Sequence, residues 1–557
     1  MGRMTARHRS KRRHARPSVS GAAQATISLV GVALLLALGA ATLAGGCSGT
    51  DPGEQVSPSS QSAAGDAGPG GSADETPGGS GGATAEATGE AADLVEQALS
   101  ARAADELTTA VELFTAARTA CLADGQTAAA DACAEQLHDL QAVMGEYPYT
   151  SEEMLAILAD TYPDVPAAER EAWLELPTTE RREYDGITHY FEGLAANLAF
   201  RDVSLFRSRP EGVATYREIY ETLKPWIERA SGADPWLPFA TPKRFRFTQA
   251  LAVPREELPA DGRLQVWFPL PIEDGPQTGV AVDSISPTTY MSVPPSTAAD
   301  IGLLYLDVPL DELDGDLDLT IDFSFSHAPQ YFTIDPERIG EYDTKSDLYR
   351  RYTRSHGNTA VTPSIRRTAQ EVVGEETNPW LAAGLLYDHV VDEIDYSLVP
   401  HLCSYPRGDP ESVYVHEHGY GDCGAQSMYY TALCRSVGIP ARCTGGFQLF
   451  TGVPQGHFWA EVYLPDYGWV PVDTSAAQIA GYVPGLSAAE LRAYRDFFFG
   501  NQDPLRLVVQ RETDLPLIPK ADGRVLLPLA VQFPAVLCPA MDDIPGLVLK
   551  QYWTIGR

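Results

Sequence analysis

Basic side chains are what this sequence holds least of. Its 557 residues carry 41 Lys and Arg against 75 Asp and Glu, a formal charge of −34. Residues 1–46 contain seven of the basic groups and no acidic one, so all the carboxylates lie beyond them. A body so acidic repels polyanions, which excludes nucleic acid and anionic membrane surfaces as partners. Solubility alone accounts for such a surface. A phosphate-binding glycine loop is missing, as are the paired Cys-x-x-Cys and His-Glu-x-x-His spacings of zinc sites. No repeat of fixed period is present. Nothing in the motifs implies a cofactor or a metal.

The basic groups that do exist cluster for a reason. Arg3, Arg7, Arg9, Lys11, Arg12, Arg13 and Arg16 precede the apolar run Ile27 to Leu43, which ends Leu43-Ala44-Gly45-Gly46-Cys47-Ser48. A basic head, an apolar helical stretch and small residues before a cysteine form an export signal. They resemble the bacterial lipobox, in which Cys47 would be lipidated and become the new N-terminus, although Ala44 stands where a larger aliphatic residue is usual. An uncleaved membrane anchor is the competing reading, because the run is nearly long enough to span. Both place the body in the cell envelope, at the outer face of the cytoplasmic membrane and within reach of the cell wall. Residues 48–90 have Val56 as their only large aliphatic side chain and no aromatic, too little to offset the cost of ordering. They read as a flexible tether spanning roughly 35–40 Å.

Export changes how the eight cysteines are counted. With Cys47 assigned to lipid and Cys423 to the site described below, six remain in an oxidising compartment: Cys121, Cys133, Cys403, Cys434, Cys443 and Cys538. Cys121 and Cys133 flank a short break between two helical patterns, where a disulfide would staple a hairpin. The apolar neighbours of Cys434 and Cys443 suit buried thiols equally well.

Periodicity divides the rest of the chain. Residues 91–235 recur at helical spacing (Leu94, Val95, Leu99, then Leu107, Val111, Phe114), with Tyr184, His189, Tyr190 and Phe191 expected as packing residues of one helix. From Pro242 the period drops to two. Between Asp316 and Phe325, for example, Leu317, Leu319, Ile321, Phe323 and Phe325 face opposite to Asp318, Thr320, Asp322 and Ser324. The acidic groups there lack the glycine and terminal Glu of a calcium-binding hand, so a solvated strand face explains them better. Helical patterns return at Pro363 to Val373 and Pro379 to Ile394. The expected architecture is α+β: an export segment or anchor (1–47), a disordered tether (48–90), a helical domain (91–235), a small antiparallel β-domain (236–340), a catalytic domain (341–515) and a C-terminal extension (516–557).

The catalytic assignment rests on three stretches. Gly419-Tyr420-Gly421-Asp422-Cys423-Gly424 opens a helix running to about Ser436, whose free N–H groups and positive dipole end favour a thiolate. The flanking glycines would let a substrate approach, and the Cys423 N–H would help to hold an oxyanion. Gly456-His457-Phe458-Trp459 and Trp469-Val470-Pro471-Val472-Asp473 read as strands joined by the turn Pro465-Asp466-Tyr467-Gly468. In a hairpin of even register His457 and Asp473 share a face. Cys423 as nucleophile, His457 as base and Asp473 behind the base form an activated thiol. A rival zinc site from His401, Cys403, His416, His418 and Cys423 leaves His457 and Asp473 unexplained.

Gly421-Asp422-Cys423, Val437-Gly438-Ile439-Pro440-Ala441-Arg442, the His457 strand through Val462 and Gly468 to Asp473 together resemble the transglutaminase-like core. The resemblance covers about residues 380–480, extends weakly to the preceding β-region and to Phe497-Phe498-Phe499-Gly500-Asn501, and does not reach residues 91–235. It implies a papain-like fold, a Cys423–His457–Asp473 triad and attack on the amide bonds of a protein, peptide or cell-wall peptide through a thioester. Relatives add a side-chain oxyanion donor, for which Tyr414, His416, His418 and Tyr420 are candidates. Hydrolysis in the manner of a protease or amidase is slightly preferred to amine-accepting cross-linking. A non-catalytic surface scaffold is the alternative, which an intact triad disfavours.

Overall fold

Leu107, Ala110, Phe114, Ala117 and Cys121 recur every three or four residues, and they are the buried face of helix Leu107–Ala123. That helix packs between Glu90–Ala103 and Thr127–Glu146 to open the N-terminal helical domain. The computed structural model describes residues 23–28, 87–230, 232, 238–401, 408–450, 455–523, 525–526, 533–541 and 547–555. Cys47, Cys403 and almost all of the expected export segment and tether lie outside them. Residues Ala23–Ser28 are extended rather than helical, and pair antiparallel with Val548–Ile555. Among the described residues no helix is long and apolar enough to cross a membrane.

One correction falls in the helical domain. Tyr184, His189 and Tyr190 lie on a hairpin, Arg181–Tyr184 with Ile187–Tyr190, not on a helix. Asp185 and Gly186 both have positive φ, the backbone that a two-residue turn between twisted strands requires. The packing role stands: all four aromatic residues from Tyr184 to Phe191 are buried, with the Tyr184 and His189 rings stacked 3.6 Å apart. Cys121 and Cys133 are free thiols in contact across two helices. Burial, reinforced by Cys121, pushes the Cys133 thiol up to about 11.

The β-region is a sandwich of two antiparallel sheets. Lys243–Val253 pairs with Leu317–His327, and the opposed rings Phe245–Phe325 and Phe247–Phe323 stack at 5.1 Å. Each such cross-strand aromatic pair contributes about 0.5–1.5 kcal/mol beyond its area. The C-terminal residues return to this domain: Ala535–Leu537 pairs with Arg263–Leu270, and Val548–Ile555 with Lys243–Val253.

The domain that holds Cys423 follows an α+β plan. Its sheet has the order Gly468–Val472, Gln455–Leu464, Ala441–Gln448, Arg506–Gln510, all antiparallel. Pro363–Val373 and Pro379–Glu393 each begin with proline in the first turn, where its missing N–H costs nothing, behind the capping side chains of Thr362 and Asn378. Both pack on the cysteine helix, Cys423–Ser436, whose residues from Gly424 onward are buried. Arg442 and Glu461 stand directly opposite each other on neighbouring strands and are ion-paired in the core, with the Arg442 guanidinium over the Trp469 ring at 4.4 Å. These motif residues hold the sheet together, and Arg442 and Trp469 line a cavity with Asp274 and Arg511.

Candidate active site

Asp422 caps the cysteine helix, its Oδ1 accepting from the Ala425 N–H at 2.9 Å. Cys423 is therefore the first helical residue, and its own N–H has no acceptor within the helix. Gly419 closes the preceding helix, Glu411–His418, in the left-handed conformation at φ 76°. Gly421 has a different reason from substrate approach: a Cβ there would lie 2.9 Å from Val415 Cγ2. The glycines shape the approach to the helix.

The turn at Asp466 and Gly468, both at positive φ, gives the hairpin an even register, with Ala460 opposite Val472 and Val462 opposite Val470. His457 and Asp473 consequently point to one face, and His457 Nε2 donates to Asp473 Oδ2 at 2.8 Å. Nδ1 is left as the nitrogen that can serve the thiol. Cys423 and His457 line the same cavity, whose free volume is about 40 Å³. All three expected triad residues thus converge.

Asp473 is more than a partner to histidine. Its Oδ1 accepts the Ala476 N–H at 3.0 Å, capping the helix Thr474–Tyr482, while its N–H donates to the Phe498 carbonyl at 3.0 Å. The latter contact makes the Phe497–Asn501 stretch a brace for the acid. Arg506 supplies the missing cation. Its Nη1 donates to Asp473 Oδ2 at 2.8 Å, and its Nε and Nη2 donate to Asp503 Oδ2 at 3.0 and 2.9 Å. Burial works to raise the Asp473 carboxyl, but His457 and Arg506 outweigh it and hold the group well below the usual carboxylate range. The signal for Arg506 was present in the chain, since a single charge inside the run Leu505-Arg506-Leu507-Val508-Val509 implies a buried acid to meet it.

Cys423 departs from the expected thiolate. Burial, then the charges of Asp422 and Asp473, push its thiol up to about 12 against the opposing N–H groups of Phe458 and Gly424. The helix dipole is opposed by the aspartate that caps it.

None of the four candidate oxyanion side chains lines the cavity. The Tyr414 and Tyr420 hydroxyls bond each other at 3.0 Å, His416 Nδ1 meets the Tyr429 hydroxyl, and His418 Nδ1 meets the Tyr414 carbonyl. His401, from the rival zinc set, instead places Nδ1 3.1 Å from Glu411 and Nε2 3.3 Å from Asp422. Burial tends to raise Asp422, yet the His401 contact and the capping N–H groups bring it below its ordinary value. No cluster of three metal-ligating side chains exists among the described residues.

Residues 366–474 match the family described as the transglutaminase-like superfamily, so a transglutaminase-like domain occupies that part of the chain. An uncharacterised protein of Haemophilus influenzae is 24% identical over 182 residues, an overlap covering 28% of this chain and 49% of the relative. The chain thus spans about half the length of that relative. Among solved structures, a candidate cysteine protease from Cytophaga hutchinsonii is similar at 11% identity and TM-score 0.37, covering 57% of this chain and 92% of that one. The periplasmic domain of TgpA from Pseudomonas aeruginosa is similar at 16% identity and TM-score 0.24, covering 47% and 95%.

Proposed function

We propose that this transglutaminase-like chain is a cysteine enzyme that cleaves amide bonds by acyl transfer to its own thiol. As Cys423 Sγ bonds to the carbonyl carbon, its proton passes to His457 Nδ1, and the carbonyl electrons move to oxygen beside the Cys423 N–H. The C–N bond then breaks, and the leaving amine takes the proton from His457. A thioester remains. Water, deprotonated by His457, attacks it, and the thiolate leaves with that proton to restore the thiol. Asp473, fixed by Arg506, keeps the imidazole in the tautomer with hydrogen on Nε2.

The observation that carries this reading is His457, hydrogen-bonded to the buried Asp473 and lining the cavity that Cys423 also lines. A scaffold protein has no use for such a buried, charge-balanced pair. Water as the acceptor is preferred because it is always present at the site, whereas an amine must be supplied. Incubation with a glutamine-containing peptide and a labelled primary amine separates the two outcomes. Ammonia or cleavage without label is the expected result, and incorporation of the amine would make the chain a cross-linking transferase. An extracytoplasmic site of action, tethered through Cys47, belongs to the same proposal. It predicts that labelling with a palmitate analogue disappears in Cys47→Ser.

A further inference from the structure

The cavity beside Cys423 is not made by the transglutaminase-like domain alone. Thr215, Tyr216 and Ile219 of helix Pro210–Ala230, part of the N-terminal helical domain, form one wall. That helix and the short helix before it, Val203–Arg207, are fastened to the transglutaminase-like domain and the residues that follow it: Arg207 Nη2 donates to the Gly481 carbonyl at 2.9 Å, and Arg217 donates to the Pro484 carbonyl. In return Tyr482 Oη donates to the Phe200 carbonyl at 2.8 Å. Tyr216 is 8% exposed and meets Tyr482 edge to face, ring centroids 5.5 Å apart, so two phenol rings from separate domains bound the slot.

A second observation lies on the opposite wall. Gln448 and Gln455 face each other across the strand pair, and Gln455 stands two residues from His457 on the same face. Gln448 Nε2 donates to Gln455 Oε1 at 3.0 Å. Gln448 is 6% exposed, and its Oε1 accepts from no partner among the described residues. A buried carbonyl left this way destabilises the fold unless something donates to it. Among the described residues, no ionisable side chain other than His457, Cys423 and tyrosines lines the cavity.

We propose that Tyr216 and Gln448 are specificity-determining residues of the cleft. Tyr216 limits the width of the acyl chain, and Gln448 Oε1 accepts an amide N–H of the substrate beside the reacting carbonyl. The chain admitted is slender and uncharged, since a carboxylate or ammonium group would be desolvated there without a counter-ion. This proposal rests on Cys423 being the nucleophile.

The test measures alkylation of Cys423 in the full-length protein by peptide mass, with three reagents: iodoacetamide, iodoacetate and N-phenylmaleimide. Rates are expressed relative to those of glutathione. The neutral amide should exceed the anion by about tenfold or more, the scale of one lost hydrogen bond plus desolvation. Tyr216→Ala should accelerate the bulky maleimide about tenfold relative to iodoacetamide, with Tyr216→Leu taking its place if the alanine variant does not melt cooperatively. Gln448→Leu should slow iodoacetamide several-fold, by roughly the worth of a hydrogen bond, and leave iodoacetate unchanged. Equal acceleration of all three reagents in the Tyr216 variants, or an unaltered amide preference in Gln448→Leu, would overturn the assignment. His457→Ala distinguishes the underlying reading. It should slow every reagent, and if it slows none the nucleophile assignment fails while the ratios still judge the walls.

Discussion

Asp473 Oδ2 receives two hydrogen bonds of 2.8 Å, one from His457 Nε2 and one from Arg506 Nη1. The guanidinium and the imidazole compete for one oxygen, and Asp503 balances the charge behind them. Four buried ionisable groups therefore act as one unit.

Arg506→Met should destabilise the fold by about 3–5 kcal/mol, because Asp473 and Asp503 would stay buried without their cation. The pH dependence has a definite sign. A carboxyl whose folded value lies below the unfolded one gives stability that is complete above about pH 4 and is lost as pH falls through the folded value. Without Arg506 the folded value rises toward the unfolded one, so the pH-dependent loss should be smaller and should end at higher pH. Urea unfolding of both proteins between pH 3 and 7 measures it.

Asp473→Asn should lower kcat by ~10²–10⁴-fold, since the imidazole loses the acceptor that orders its tautomer. Substrate KM should change far less. Steady-state assays on any cleaved peptide amide read the split.

The raised Cys423 thiol predicts a particular pH–rate profile. Alkylation by iodoacetamide should climb steadily from pH 6 to pH 9, as expected of a thiol near 12 that is deprotonated only in small part. A plateau in that range would indicate a preformed thiolate and imidazolium pair. Cys423 should nevertheless label first among the described thiols, for it alone is partly exposed while the other five are buried.

Glu146 provides a test of the opposite sign. Burial pushes its carboxyl up to about 7, against the His401 charge and the His401 N–H that donates to it. A raised acid costs stability increasingly as pH climbs from its unfolded value, about 4.3, toward 7. Glu146→Gln should match the wild type near pH 4 and melt higher at pH 8. Thermal melts at the two pH values decide it.

In an oxidising medium Cys121 and Cys133 should join, as their thiols already touch. Closing so short a loop is worth roughly 3 kcal/mol. Intact mass before and after reduction shows whether the bond forms, and the melting temperature shows its worth.

The parts of this site set by local rules could be read from the chain. Pro363 and Pro379 mark helix starts because proline tolerates the first turn, and the parity of the Asp466–Gly468 turn places His457 and Asp473 on one face. Asp185-Gly186 carried an equally local hairpin signal, which was masked by the helical spacing around it. What escaped depends on partners far along the chain. Nothing near Val548 announces that it will lie beside Ala252, and nothing near Tyr216 announces Cys423. Tyr414 and Tyr420 show the converse: they neighbour the nucleophile in sequence, but their hydroxyls satisfy each other.

Helix Pro210–Ala230 bears on how such proteins diversify. The recognisable family segment, residues 366–474, carries Cys423, His457 and Asp473, but Tyr216, Tyr482 and Arg506 lie outside it. The segment that the family describes is smaller than the set of residues that bounds the cavity and holds Asp473. Chains with the same triad can thus acquire new diets by exchanging what precedes and follows the segment, with the chemistry left untouched.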